Sequence, residues 1–507
     1  MKNHKTSRVA ALLGAFALSA AALTGGATAA FAEPPSFGNI DFSKPGSLTV
    51  HKYLHQTGTP TVGDISAAPD ADDYTNPVAG VEFTVYPLLT TLGAEIDLED
   101  PATWDSLNAI VPGAGCTAPA GYSIGTGQVM PLTSATGTAT QALPIGVYMV
   151  CETDAPSNIV DRAAPFVLTV PMPHENGWVY DVHAFPKNGA GTLVKTVKPI
   201  GPGTGLGSTL TFPVTMTIPQ QENAWTKFEI SDALDARLEP VGTGVQSVKV
   251  GTQVLDASYY SVGAPIADNT VKVTFTPAGI AWLNATPKDA QAGSVITIEF
   301  VATVVSIGSG VIENVAQFSN TPGQSLDSNP VTTRWGSIEV LKRAAGTLDA
   351  NGVLKGAEFE VYNADLPYAP NCGVAKPVEN EGPISVGGAT KFVSDANGVV
   401  TIPGLFVSDS VNTSINASQR CYVLKETKAP AGYVLPSSAF TPVQVKTGVT
   451  TIASNFNPVI TNTQQDVPEL PLTGAAGQVL LVAAGIAGVA IAGGLMLVNR
   501  RRTRAQL

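Results

Sequence analysis

The sequence predicts an all-β protein: three tandem immunoglobulin-like β-sandwich domains, framed by an export signal and a C-terminal apolar segment. Three observations carry the prediction. Val, Thr, Gly and Pro recur in short alternating runs, punctuated by 50 glycines and 38 prolines, the pattern of short strands joined by turns. Long Lys- or Glu-rich helical stretches are missing, and charged residues make up only 13% of the chain. Finally, the landmarks of one block, near residues 80–156, recur near residues 356–430. The net charge of −12 lacks the basic footprint of a nucleic-acid binder, so no nucleic-acid partner is expected.

The two ends frame the fold. Lys2, Lys5 and Arg8 precede an apolar stretch from Val9 to Leu23, and Ala30-Phe31-Ala32 offers an A-x-A cleavage site before Glu33. Residues 1–32 therefore read as a secretory signal peptide and are excluded from the fold. Near the C-terminus, Leu470-Pro471-Leu472-Thr473-Gly474 precedes an apolar run over 475–498, about 24 residues and long enough to cross a bilayer as a helix. Arg500, Arg501, Arg502 and Arg504, in the tail 499–507, hold that end on the cytoplasmic side. The intervening chain suffices for roughly three domains.

The first domain, 33–189, opens with the alternating run Leu48-Thr49-Val50-His51-Lys52-Tyr53. It continues with strands at 80–86, 146–156 and 165–171 and closes over 178–188; Gly189-Ala190-Gly191 reads as a linker. The second domain, 190–334, carries strand-like runs at 193–197, 209–217, 227–230, 245–250, 270–275, 295–305 and 311–318, a count that suits one sandwich. The third, 335–466, repeats the first: Gly356-Ala357-Glu358-Phe359-Glu360-Val361-Tyr362 matches 80–86, and the strand from Cys421 to Pro430 matches 146–156. Four cysteines in an exported chain suggest two disulfides. Pairing Cys116 with Cys151 and Cys372 with Cys421 closes one loop within each outer domain. A domain-crossing pairing stays open, and needs distant Cα atoms within about 7 Å. The five histidines are scattered without metal-ligand spacing, and no Ser/His/Asp or Cys/His cluster is present. No metal, no cofactor and no turnover chemistry are expected.

One constellation occurs three times: a lysine in the first strand, an acid in the middle and an asparagine in the last strand. It comprises Lys52, Glu152 and Asn188; Lys195, Asp232 and Asn314; and Lys342, Glu426 and Asn462. Lys195 is preferred to Lys198, which precedes Pro199 and reads as the strand's exit. If first and last strands pair side by side, lysine amine meets asparagine amide inside the core. Burial deprotonates a lysine and keeps the proton on a carboxyl. The neutral amine is then a nucleophile, and the acid can polarise the amide carbonyl. Attack expels ammonia and leaves a Lys–Asn isopeptide bond, without a cofactor and once per site.

The pentapeptide, apolar span and basic tail together resemble the cell-wall sorting signal of Gram-positive surface proteins. Tyr422–Tyr433 (YVLKETKAPAGY) resembles the E-box of sortase-assembled pilins, and the GAEFEVY strand is typical of their Cna-type domains. Trp178–Lys187 resembles the pilin motif W-x-x-x-V-x-V-Y-P-K, with Ala184 and Phe185 where that family prefers Val and Tyr. The three-domain layout is similar to actinobacterial fimbrial shaft proteins. The resemblance implies that a pilin-type sortase cleaves between Thr473 and Gly474 and passes the Thr473 carbonyl to Lys187 of an identical subunit. It further implies a housekeeping sortase and peptidoglycan as partners in anchoring, with a tip pilin and a host receptor as further partners, and residence in the cell wall or fimbrium. Lys187 is expected to be exposed, unlike the three crosslinking lysines. The alternative is a monomeric wall-anchored adhesin of the same domain type.

Overall fold

The computed structural model describes residues 40–55, 63–70, 74–113, 115–201, 203–221, 223–263, 268–286, 290–321, 324–348, 350–451, 458–465 and 475–504. The export signal and the pentapeptide at 470–474, Thr473 included, lie outside these residues.

In the first domain, Gly46–His51 lies between two partners: Asp181–Ala184, parallel to it, and Thr138–Leu143, antiparallel. Glu82–Thr90, Gly146–Asp154 and Phe166–Val170 belong to a second sheet. Alternate residues of both, among them Leu48, Val50, Phe83, Val85, Val150 and Val182, form one core, as the two-residue period of a strand requires. The opening strand does not run straight through Lys52. It ends at His51 and resumes as Tyr53–Leu54, which pairs in parallel with Lys187–Ala190. His51, Lys52 and Tyr53 are all buried, and Lys52 continues the inward face of Leu48 and Val50, as the two-residue period requires.

The third domain repeats this design. Val331–Ala344 pairs antiparallel with Val399–Asp409 and parallel with Val459–Asn462. Glu358–Asn363, Gln419–Lys428 and Phe440–Lys446 form the opposing sheet. The repetition extends to the irregularities: a register shift follows Glu82 in one domain and Glu358 in the other, and sets Phe83 opposite Glu152 and Phe359 opposite Glu426. Such a bulge re-aims the side chains beside it.

The middle domain is a sandwich of two five-stranded sheets. The run at 311–318, read from sequence as one strand, is two. Val311–Asn314 pairs with Val331–Ala344, whereas Ala316–Thr321 pairs with Glu229–Ala233 in a different sheet. Leu193–Lys195 pairs with Thr209–Thr217, so in this domain the lysine and asparagine strands are not side-by-side neighbours. Parallel pairing of opening and closing strands holds only for the outer domains.

Neither junction is a loose tether. Gly189 and Gly191, expected as linker, are buried, and a Cβ at Gly189 would lie 2.6 Å from the Gln220 carbonyl oxygen. The expected boundary at 334/335 falls inside the continuous strand Val331–Ala344, where Trp335 is fully buried against Phe406, ring centroids 5.6 Å apart. Two short helices, Pro101–Leu107 and Pro277–Leu283, were not predicted. Each has a capping residue, Asp100 or Thr276, followed by proline at its first turn, a start signal legible in retrospect. Disulfides join Cys116 to Cys151 and Cys372 to Cys421, with Cα separations of 5.9 and 5.3 Å. At the C-terminus, Ala475–Arg504 is one helix of 30 residues, and its part Val482–Arg502 is long and apolar enough to cross a membrane.

Gly189→Val forces the first junction apart and is expected to cost about 1–3 kcal/mol, the usual penalty of overpacking. Thermal melting and limited proteolysis read this out; an unchanged melt with no new cleavage near residue 190 would show that the junction is not tightly packed.

Candidate functional site: three buried Lys–acid–Asn clusters and a half-buried lysine

Each predicted triad is brought together inside its own sandwich. Lys52, Lys195 and Lys342 are all fully buried, at 0% exposure, an extreme position for a lysine. Each contacts its predicted acid: Lys52 Nζ to Glu152 Oε2 at 2.8 Å, Lys195 Nζ to Asp232 Oδ2 at 2.5 Å, and Lys342 Nζ to Glu426 Oε2 at 2.9 Å. Around these pairs the walls are aromatic. Lys52 lies over Phe83, Lys342 over Phe359, and Lys195 between Phe212 and Phe300, with ring centroids 5.3–5.7 Å away.

The carboxyl group also holds the asparagine, through the amide nitrogen. Asn188 Nδ2 donates to Glu152 Oε1 at 2.8 Å, Asn462 Nδ2 to Glu426 Oε1 at 2.8 Å, and Asn314 Nδ2 to Asp232 Oδ2 at 3.3 Å. Two backbone groups fix the orientation of the amide. Asn462 Nδ2 also donates to the Val434 carbonyl, which can only accept, and Asn188 Oδ1 accepts from Ala163 N–H, which can only donate. The carboxyl therefore faces the nitrogen of the amide rather than its carbonyl, contrary to the polarisation expected from sequence. In the third domain the Asn462 carbonyl oxygen contacts Lys342 Nζ itself.

Charge follows from this burial. Desolvation pulls the Lys52 amine down to about 8, against the opposing attraction of Glu152 and Asp161. It also lowers Lys195 and Lys342 and raises Asp232. These shifts favour a neutral amine, the nucleophilic form.

Lys187 lies elsewhere. It begins the strand Lys187–Ala190, next to Asn188, and is half-buried rather than exposed. Its Nζ lies 5.3 Å from the Tyr74 ring centroid. Phe185 stacks between that ring and His51, and His51 Nε2 meets His183 Nδ1 at 2.8 Å. Lys187 lines a cavity of about 320 Å³ with Ala163, Pro165, Phe166, Ala184 and Phe185. The Trp178 end of the same motif packs on Trp104 at 5.2 Å. Tyr74 and the Ala163 N–H carried no sequence signal, since one lies outside every motif and the other is backbone.

β-Sandwiches that each bury a lysine, an acid and an asparagine together, followed by an apolar C-terminal helix long enough to cross a membrane, fit the class of exported multi-domain surface proteins. Comparison with known proteins makes the class specific. Residues 43–189 match the family described as Gram-positive pilin subunit D1, N-terminal domain; 336–457 match a prealbumin-like fold domain; 462–503 match the LPXTG cell wall anchor motif. The chain is 35% identical to fimbrial subunit type 2 of Actinomyces naeslundii, over 98% of this chain and 97% of that one. It is 28% identical to fimbrial subunit type 1 of Actinomyces viscosus, over 99% of both. The structure of the full-length major pilin SpaD from Corynebacterium diphtheriae superposes with a TM-score of 0.65 at 29% identity, covering 85% of this chain and 99% of that one. The chain belongs to the Gram-positive fimbrial shaft subunits: a structural protein of the cell wall and fimbrium, not an enzyme.

Glu426→Leu leaves Lys342 buried without a counter-charge and is expected to destabilise the third domain by about 3–5 kcal/mol. The double variant Lys342→Met/Glu426→Leu is expected to be more stable than Glu426→Leu, because an apolar pair of similar volume removes the desolvation cost of the unpaired amine. Denaturant unfolding measures both; a double variant no more stable than the single one would contradict this account.

Proposed function

We propose that this fimbrial subunit is joined head to tail by a pilin-type sortase, Thr473 carbonyl to the Lys187 amine of the next copy, and that each sandwich closes its own Lys–Asn amide. The observation that carries the reading is the single carboxyl group that touches both amine and amide nitrogen in every domain.

The contacts support a proton relay. Neutral lysine Nζ attacks the asparagine Cγ and a C–N bond forms. The carboxylate takes the proton that the new bond makes acidic, and the amide oxygen carries the negative charge. The same carboxyl group then delivers the proton to Nδ2, the C–Nδ2 bond breaks and ammonia leaves. The acid returns to its starting state and one isopeptide bond remains. Glu152 and Glu426 use different oxygens for the two partners, whereas Asp232, one methylene shorter, uses one oxygen for both.

In the outer domains the opening and closing strands run parallel. Pulling the chain ends apart shears them, and a bond from Lys52 to Asn188 or from Lys342 to Asn462 takes that load covalently. Lys187, at the end of the motif and beside a cavity, suits the intermolecular acceptor. A housekeeping sortase transfers the base of the finished polymer to peptidoglycan, and a tip pilin carries any contact with a host receptor.

Mass spectrometry of the mature chain is expected to find three ammonia losses, and two in Lys342→Ala; an equal number in both would remove the third-domain assignment. Formation of the Lys52–Asn188 bond speeds up as pH rises through about 8, the value to which burial lowers Lys52, because only the unprotonated amine attacks. A rate flat from pH 6 to 9 would contradict this. An immunoblot of wall extract, boiled in SDS with reductant, is expected to show a high-mass ladder that collapses to monomer in Lys187→Ala. A persistent ladder would move the acceptor to another lysine, and a single monomer band in the unsubstituted protein would favour the anchored adhesin.

A further inference from the structure

The segment that flanks the crosslinking site of the first domain is held by the second. Ile159–Asp161 lies beside Lys187–Ala190, with Asp161 opposite Gly189. Just beyond it, the Ala163 N–H donates to Asn188 Oδ1 at 3.1 Å and to Glu152 Oε2 at 3.0 Å. Asp161, itself buried, adds a second negative charge near Lys52.

Three successive residues before Ala163 are gripped by asparagines of the middle domain. Asn320 Nδ2 donates to the Val160 carbonyl. Asn223 Nδ2 donates to Asp161 Oδ1 at 2.9 Å and to the Arg162 carbonyl at 3.0 Å. The Val160 side chain joins the core cluster of the middle domain rather than that of its own. The other two sites have no such device: Asn314 Oδ1 has no hydrogen-bond partner among the described residues, and Asn462 Oδ1 faces the lysine amine.

We propose that the Ala163 N–H is the oxyanion-stabilising donor for the Lys52–Asn188 crosslink, and that Asn223 of the middle domain is the positioning residue that holds it in place. When Lys52 Nζ bonds to Asn188 Cγ, the electron pair of the carbonyl moves to Oδ1, where the Ala163 N–H already points. It returns as the C–Nδ2 bond breaks and ammonia departs with the proton from Glu152. A preorganised donor is worth most where charge develops in a dry site. The first-domain bond therefore forms faster once the middle domain has folded and docked against residues 160–162. This inference rests on the crosslink reading for that domain.

The test is a time course on freshly expressed full-length mature chain, followed by mass spectrometry of the three linked peptides. Losing an oxyanion donor costs on the order of 10²–10³ in rate; Asn223→Ala and the isosteric Asn223→Asp, which only loosen its hold, should slow the Lys52–Asn188 peptide at least about tenfold. The Lys195–Asn314 and Lys342–Asn462 peptides of the same molecules should form at unchanged rates. Asn223 is exposed, so these variants fold. Ala163→Gly, which keeps the N–H, should react like the unsubstituted chain, whereas Ala163→Pro, which lacks it, should not. A wild-type rate in both Asn223 variants overturns the proposal while leaving the crosslink reading intact. If the unsubstituted chain never yields the Lys52–Asn188 peptide, the crosslink reading for this domain falls and the proposal with it.

Discussion

Everything in this molecule depends on three amines kept out of water. A lysine whose whole side chain is buried is among the costliest things a sandwich can hold, since removing a charged group from water costs several kcal/mol even after relaxation. Each sandwich offsets that cost with one carboxyl group, and each carboxyl group also binds an asparagine. The aromatic rings of Phe83, Phe212, Phe300 and Phe359 wall in the three amines and keep them from solvent. The stability problem and the chemistry share a cause, because the desolvation that destabilises the pair also lowers the amine.

The backbone is bent to serve these pairs. In both outer domains a register shift before Phe83 or Phe359 sets the aromatic ring opposite the acid. The middle domain reaches the same cluster by another route: its chain leaves the sheet of Val331–Ala344 after Asn314 and enters that of Glu229–Ala233 at Ala316, so the asparagine sits where the chain changes sheets. Different topologies thus converge on one arrangement of three side chains, as expected when the chemistry rather than the pairing order is the constraint. The junctions add stiffness. Gly189 packs against a carbonyl of the next domain, and Val331–Ala344 serves two domains as a single strand, which suits a subunit that transmits tension along its length.

Much of this was legible in the sequence. Alternating runs gave the sandwich class, and the recurrence of GVEFTVY as GAEFEVY identified the first and third domains as repeats down to the residue. The nine triad residues could be named because each type sits in a recognisable strand context, and the cysteines paired as the simplest loop closure suggests. What failed did so for physical reasons. Gly189-Ala190-Gly191 read as a linker because glycine serves flexible joints and close backbone contacts alike, and only the neighbouring Gln220 carbonyl decides which. Lys187 read as exposed because a sortase must reach it, yet it is half-buried, with Tyr74, more than a hundred residues earlier, against its amine. The amide of each asparagine was expected to offer its oxygen to the acid, but backbone groups at Val434 and Ala163 turn those of Asn462 and Asn188 the other way.

Sequence alone determined the class, the anchoring segment, and which lysine, acid and asparagine meet in each sandwich, because these depend on residue type and local period. Tertiary structure decided the rest: which strands lie side by side, which amide atom meets which partner, and that 160–162 of the first domain are held by Asn223 and Asn320 of the second. Those facts depend on contacts between residues distant in the chain, where backbone groups with no sequence identity of their own act as donors and acceptors.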